Sequence, residues 1–415
     1  MSRLLDIELG RWEEQFYNLL REVVSEGGMV EANTPKACRE INNYQFTLNN
    51  PLDRIIVNPV RSFKMSSAIA RFIFMMSGSD RLEEIAFWEE KVRAFSDDSL
   101  SIPGSNYGTR LLQMPAGNNQ ILGAIERINN LPETKRAAAV VWRPEDAVRE
   151  SKDIPCTFGI QFYVRGGRLN ATTLMRSNAA YRLVPFNVFE FTLLTEFVAN
   201  MTGHQLGKYT HFAVSMHVYD SEMPFVQKML DGGVDEPCLQ MPPMPNTSWD
   251  DMTRLIHLFD TLRQETAALT NANYQVQLDA CETLNSYWGD FGRVLLACCL
   301  VKQNLPLAWH HVVGELSEPF RSLLRRNPPN EQGTRRWEED PDVLRSRAAF
   351  LQLAERNPSF TLQEREICWK KKLGEYQQEV VGKLRDARKM PGTEEEWEDE
   401  IVGLRNKATT LFPDL

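Results

Sequence analysis

No stretch of this chain is apolar for long enough to cross a bilayer, which sets aside the membrane-spanning classes. Basic residues are in deficit: 47 lysines and arginines face 56 acids, and the net charge of -9 argues against non-specific binding to nucleic acid. The seven cysteines (Cys38, Cys156, Cys238, Cys281, Cys298, Cys299 and Cys368) form no CxxC pair and no metal-ligand spacing, so no metal site is expected. Their number is odd, and the N-terminal segment mixes acids with its apolar residues, unlike a signal peptide. Both features lead us to expect reduced thiols and a cytoplasmic protein. With 42% hydrophobic and 25% charged residues, the 415-residue chain has the composition of a globular protein of one large domain or two ordinary ones.

The most informative stretch, residues 153–187, reads DIPCTFGIQFYVRGGRLNATTLMRSNAAYRLVPFN. Two runs rich in aromatic and β-branched residues, 158–164 and 169–174, flank Gly166-Gly167 and predict a strand hairpin. Pro155-Cys156 opens the hairpin and Arg176-Ser177 closes it. Pro185-Phe186-Asn187 then starts an apolar run of helix length, 188–198. A guanidinium fork beside a hydroxyl, as in Arg176-Ser177, suits a phosphate. The carboxamide of Asn187, donor and acceptor at once, can read one edge of a base. The thiol of Cys156 suits covalent catalysis once something lowers its pKa from about 8.5.

Elsewhere the pattern is mostly structural. Apolar spacing predicts an amphipathic helix over 4–24, a strand over 38–48, a buried helix over 66–76 stopped at Gly78, and a further helix over 81–95. Residues 95–108 form a turn-rich polar loop ending in Tyr107-Gly108. A short strand at 137–142 follows the basic pair Lys135-Arg136. Residues 235–249 hold four prolines and read as a linker. Beyond it, Ser248 and Asp251 form a capping box for a helix carrying Met252, Leu255, Ile256, Phe259 and Leu262. Further helices are predicted at 288–301, 343–354 and 362–389, before an acidic tail at 393–406. His310-His311, beside Trp309, reads as packing. The domain reading is therefore 1–234 as the site-bearing domain, 235–249 as a Pro-rich linker and 250–415 as an α-helical extension serving packing or oligomer contacts.

These motifs resemble the thymidylate synthases and their relatives the pyrimidine-nucleotide (dUMP or dCMP) hydroxymethylases. Pro155-Cys156, Gln161-Phe162-Tyr163-Val164, Arg176-Ser177 and Pro185-Phe186-Asn187 stand at that family's spacing, with a His-x-Tyr following at His217 and Tyr219. The likeness covers roughly residues 35–225. It implies an α/β (α+β) fold, a thymidylate-synthase-like mixed β-sheet packed with helices, here with the C-terminal α-helical extension. It also implies one-carbon transfer to pyrimidine C5, with 5,10-methylenetetrahydrofolate as donor. In that scheme Cys156 adds to C6 of the ring, and Tyr107 belongs to the catalytic set. Arg176 and Ser177 hold the nucleotide phosphate, and Lys135 and Arg136 reach the partner's phosphate in a homodimer with shared active sites. His217 and Tyr219 bind the sugar 3′-hydroxyl, and Asn187 favours uracil where cytosine enzymes carry an acid. Which of Lys36, Arg39, Arg54 and Arg61 serves the phosphate stays open. The long chain and loosened motifs resemble the larger phage-type dUMP hydroxymethylases, which implies a hydroxymethyl product, a free nucleotide as substrate and, for a bacteriophage protein, a host cytoplasm.

Three departures stand out. Arg71 occupies the position of the family's general acid-base glutamate, on a helix reading RFIFMMSG, and joins the candidate catalytic residues as a stabiliser of charge at O4 or a ligand for another co-substrate. Thr157 replaces the histidine that often follows the nucleophile. Ala179 replaces the aspartate that contacts the folate pterin. The alternatives are therefore dTMP synthesis, a folate-independent C5 modification, and a nucleotide-binding homologue without turnover.

Overall fold

The computed structural model describes residues 11–30, 37–61, 63–112, 118–233 and 239–326. Internal contacts divide the chain into two units, Met1–Asp260 and Thr261–Leu415. The helices expected at 343–354 and 362–389 and the acidic tail lie outside the described residues, as does Lys36.

In chain order the first unit holds α1 (Trp12–Glu26), β1 (Gly28–Val30), β2 (Cys38–Leu48), α2 (Met65–Ser77), α3 (Leu82–Ala86), α4 (Gly108–Leu111), α5 (Gln120–Asn130) and β3 (Ala138–Val140). It continues through β4 (Thr157–Arg165), β5 (Arg168–Ala179), α6 (Val184–Met201), β6 (Gln205–Tyr219) and α7 (Met223–Gly232) to the start of α8 (Trp249–Glu265). The strands make one mixed sheet in the order β1-β2-β6-β5-β4-β3. The expected hairpin is β4–β5. Gly166 and Gly167 take φ of 57° and 74°, the left-handed pair that a two-residue loop between twisted strands requires.

Only β5 and β6 run parallel among the paired strands; the other pairings are antiparallel. A parallel pair cannot be joined by a tight turn, and the crossing segment here is α6. That placement explains its sequence. Packed on β5 and β6 and flanked by α2 and α5, α6 is buried at every residue from Val184 to Ala199 and has no polar face. The polar side chains it does carry must find partners inside. Glu196 bonds Arg54 Nη2 at 2.5 Å, and Arg54 is wholly buried.

Helix α2 ends as expected at Gly78, in the left-handed conformation (φ 68°). The helix expected over 81–95 is broken. It is helical only from Leu82 to Ala86, and a 3-10 turn covers Glu90–Phe95. Trp88 stacks on Phe259 at 5.2 Å, and Glu89 leaves helical geometry at φ -140°, ψ 84°, so tertiary packing overrides helical propensity here. Residues 239–248 are hydrogen-bonded along the first unit, through Met241 N to Leu52 O (3.0 Å), Met244 N to Glu196 Oε1 (2.7 Å) and Thr247 N to Asn200 Oδ1 (3.0 Å).

The described part of the second unit is helical: α9 (Tyr274–Glu282), α10 (Ser286–Lys302), α11 (Pro306–Gly314) and α12 (Phe320–Arg326). Trp288, Phe291, Leu295, Val312 and Phe320 form its core, and His311 Nδ1 bonds the Tyr274 hydroxyl at 2.8 Å. Among the described residues, no helix is long and apolar enough to cross a membrane.

Removing one member of a buried ion pair strands the other charge. Glu196→Ala is therefore expected to cost about 3–5 kcal/mol, read as a lowered urea midpoint with an unchanged slope.

Candidate active site

Cys156 is half-buried and sits immediately before β4. Its backbone carbonyl accepts the amide of Arg176 across the β4–β5 pair at 2.8 Å. The Arg176 side chain turns back over the same loop. Its Nε donates to Pro155 O (2.9 Å) and its Nη2 to Ile154 O (3.2 Å), while the guanidinium lies 5.8 Å from the centre of the Trp142 ring. Held this way, Nη2 lies 3.8 Å from Cys156 Sγ. Burial pushes the thiol's pKa up, the Arg176 charge draws it back, and Asp153 adds to the rise.

Asp153 was not singled out from sequence. It is buried and accepts from Gly104 N and Ser105 Oγ, which ties the polar loop 95–108 to the cysteine loop. At the end of that loop, a Cβ on Gly108 would overlap the Met75 carbonyl oxygen, so glycine lets the chain lie against α2. Tyr107 is thereby buried and stacked on Phe191 of α6, with ring centres 5.8 Å apart. Its hydroxyl pKa is pushed up by burial and then by the charges of Cys156 and Glu190, with Arg71 opposing.

Asn187 lies in the first turn of α6 and is buried. Its Oδ1 accepts from Asn178 Nδ2 at 2.8 Å, Asn178 Oδ1 bonds His211 Nε2 at 3.1 Å, and His211 Nδ1 bonds the Tyr209 hydroxyl at 2.9 Å. Burial pushes the His211 pKa down to about 3, so the ring is neutral. With Asn178 Oδ1 as acceptor, the ring proton sits on Nε2, and Nδ1 accepts from the tyrosine. The chain of donors then runs one way and leaves the Nδ2 hydrogens of Asn187 free to donate. The sequence pattern carried no sign of Asn178, Tyr209 or His211, because the relay exists only once β5 and β6 are paired.

Ser177 lies opposite Ser215 in the β5–β6 register, and Ala179 lies opposite His217. The rings of His217 and Tyr219 are 4.8 Å apart, and Tyr219 is close enough to feel a charge on Cys156. Lys135 and Arg136 are exposed beside the edge strand β3, away from this cluster, and neither side chain makes a hydrogen bond or ion pair among the described residues. Of the N-terminal candidates, Arg54 is occupied by Glu196, Arg39 donates to Val24 O (3.1 Å), and Arg61 binds the carbonyls of Tyr181 (2.7 Å) and Arg182 (2.8 Å).

Arg71 is not an unengaged cation. It pairs with Glu190 through Nε and with Glu89 through Nη1 at 3.5 Å, and its guanidinium stands 5.6 Å from the centre of the Phe186 ring. Burial alone would lower its pKa, but the two carboxylates outweigh burial and hold it above its usual value. Glu190, inside an apolar run, was passed over in the sequence. Its position three residues after Asn187 was the available signal.

Residues 14–273 match the family model described as thymidylate synthase. A protein named "Putative thymidylate synthase" from Methanocaldococcus jannaschii is 28% identical over 221 residues, which cover 51% of this chain and 90% of that one. A protein of the same name from Methanothermobacter marburgensis is 29% identical over 233 residues, covering 55% and 99%. Another from Methanosarcina acetivorans is 31% identical over 162 residues, covering 37% and 73%. Among solved structures, thermostable thymidylate synthase A from Bacillus subtilis aligns with a TM-score of 0.49 and 20% identity, covering 58% of this chain and 92% of that one. The chain belongs to the thymidylate synthase family.

Proposed function

We propose that this chain forms a covalent adduct with dUMP through Cys156 and transfers a one-carbon unit to C5, giving the hydroxymethyl product. The observation that carries this reading is the guanidinium of Arg176, fixed by two carbonyls 3.8 Å from the Cys156 sulfur. A cation held there favours the thiolate over the thiol and opposes the effect of burial. Addition of the thiolate to C6 moves the ring's electron pair toward C5 and O4. C5 is then nucleophilic towards a one-carbon electrophile. In this reading Arg176 and Ser177 bind the 5′-phosphate, and His217 and Tyr219 the sugar.

The relay supports uracil over cytosine. The free Nδ2 hydrogens of Asn187 match the O4 acceptor of uracil, and the remaining lone pair of Oδ1 can take N3–H. The 4-amino group of cytosine would set donor against donor.

The family's carrier, 5,10-methylenetetrahydrofolate, supplies carbon at the oxidation level of formaldehyde. The residues do not fit its pterin at position 179, where a buried alanine in the β5–β6 ladder offers no acceptor, so no step is assigned to the carrier here. The hydroxymethyl product rests on the resemblance to the larger hydroxymethylases. A homodimer, with Lys135 and Arg136 serving the partner's nucleotide, is supported by exposed apolar residues on adjacent strands, Phe158, Leu174 and Val214, of the kind a second subunit covers. Residues 1–234 are the catalytic part in this reading, and the helices beyond 250 serve packing or assembly.

Three measurements check the reading. With dUMP tritiated at C5 and a one-carbon donor at the oxidation level of formaldehyde, the protein should release tritium and yield 5-hydroxymethyl-dUMP by mass spectrometry, and Cys156→Ala should release none. Asn187→Asp should move preference from dUMP toward dCMP, measured as the ratio of kcat/KM values. Because the thiolate is the reactive form and burial raises its pKa, alkylation of Cys156 by iodoacetamide should speed up as pH rises. Arg176→Met should raise that pKa further and slow alkylation at a fixed lower pH, by about tenfold per pKa unit, as followed by peptide mass mapping.

A further inference from the structure

Several buried carboxylates of the first unit have both oxygens engaged. Glu13 accepts from the amides of Val57 and Asn58, Glu196 from Arg54 and the Met244 amide, Glu222 from Arg182 and the Tyr219 amide, and Asp146 from two nitrogens of Arg110. Glu190 differs. Its Oε1 accepts from Arg71 Nε, and among the described residues its Oε2 accepts no hydrogen bond. The residue is only 3% exposed, but Oε2 is not sealed from solvent, so that oxygen is the one open to a group entering the site.

Its surroundings say what that is. Glu190 follows Asn187 by three residues on α6, which puts their Cβ atoms about 5–6 Å apart on one face. The next residue, Phe191, stacks on Tyr107, whose hydroxyl feels Cys156, Glu190 and Arg71 together. A partner for Arg71 is not reason enough for Glu190, since Glu89 already offers that guanidinium a carboxylate at 3.5 Å.

We propose that Glu190, held by Arg71, is the group that donates and accepts protons at O4 and C5 of the pyrimidine, working from α6 where α2 carries no carboxylate. The inference rests on the reading of the site as a C5 one-carbon transferase. As Cys156 sulfur bonds to C6, the C5–C6 π pair shifts to O4, and protonated Glu190 gives its proton to that oxygen. As C5 bonds to the one-carbon electrophile, O4 passes its proton to the electrophile's heteroatom and becomes a carbonyl again. The Glu190 carboxylate then takes up the C5 proton, and the C5–H pair forms the C5–C6 double bond as the Cys156 thiolate leaves, which restores both acid and thiolate. Burial pushes the Glu190 pKa above the usual carboxylate range, and Arg71 draws it back. Arg71 is then a positioning residue, acting through Glu190.

The test compares wild type with Glu190→Gln for dUMP binding by calorimetry, tritium release from C5-labelled dUMP with the same one-carbon donor, and the pH profile of that release. Wild-type dUMP affinity in the variant, with release lowered by about 10²–10⁴-fold and the alkaline limb of the profile gone, is the expected result. Should the glutamine variant not fold, Glu190→Asp keeps the charge opposite Arg71 while withdrawing the carboxylate by one methylene, and it too should lose release with dUMP binding intact. An unchanged rate and pH profile in a folded variant would overturn the role of Glu190 and leave the transferase reading standing. Absence of release from wild type that binds dUMP would overturn both.

Discussion

The parallel pairing of β5 with β6 is the constraint on which the site depends. Two parallel neighbours need a crossing segment, and here the crossing is a single buried helix laid across the strands it joins. β5 carries Arg176, Ser177 and Asn178, β6 carries Tyr209, His211, His217 and Tyr219, and α6 carries Asn187 and Glu190 between them. The antiparallel hairpin on the other side of β5 brings Cys156 to the Arg176 backbone. No loop has to fold back over a long distance to assemble the group, because the sheet register does it.

Burying α6 on all sides makes each of its polar side chains an energetic problem, answered in whole or in part by internal partners. Asn187 is met by Asn178 and, through it, by His211 and Tyr209. Glu190 is met by Arg71 and Glu196 by Arg54. An unpaired carboxylate or amide in this setting would cost more than a hydrogen bond returns, so the partners are as much a part of the site as the groups facing the cleft. Arginine at position 71 is intelligible on these terms: it meets the carboxylate that the facing helix carries at Glu190.

What could be read from sequence was what is local. The Gly166-Gly167 hairpin, the helix stop at Gly78, the strand 38–48 and the apolar helix after Pro185 follow from residue pattern within a few positions, and the thiol, guanidinium and carboxamide followed from them. The relay to Asn187 was not legible, because Asn178 and His211 meet only through the parallel register of strands separated by a whole helix. Glu190 was visible as a charge in an apolar run, but its meaning needed Arg71 on another helix. The break in the expected 81–95 helix came from Trp88 stacking on Phe259, more than a hundred and fifty residues away, where no local propensity could report it.

The central claim is a covalent bond between Cys156 and C6 of a deoxyuridine nucleotide. A fluorine at C5 cannot leave as a cation, so 5-fluoro-dUMP should stall the reaction after the carbon is joined and leave the nucleotide on the enzyme. Intact-mass measurement after incubation with 5-fluoro-dUMP and a one-carbon donor at the oxidation level of formaldehyde tests this directly. The account predicts a mass increase that includes the nucleotide, mapping to the peptide that contains Cys156. Protein of unchanged mass under conditions where 5-fluoro-dUMP is bound would contradict it.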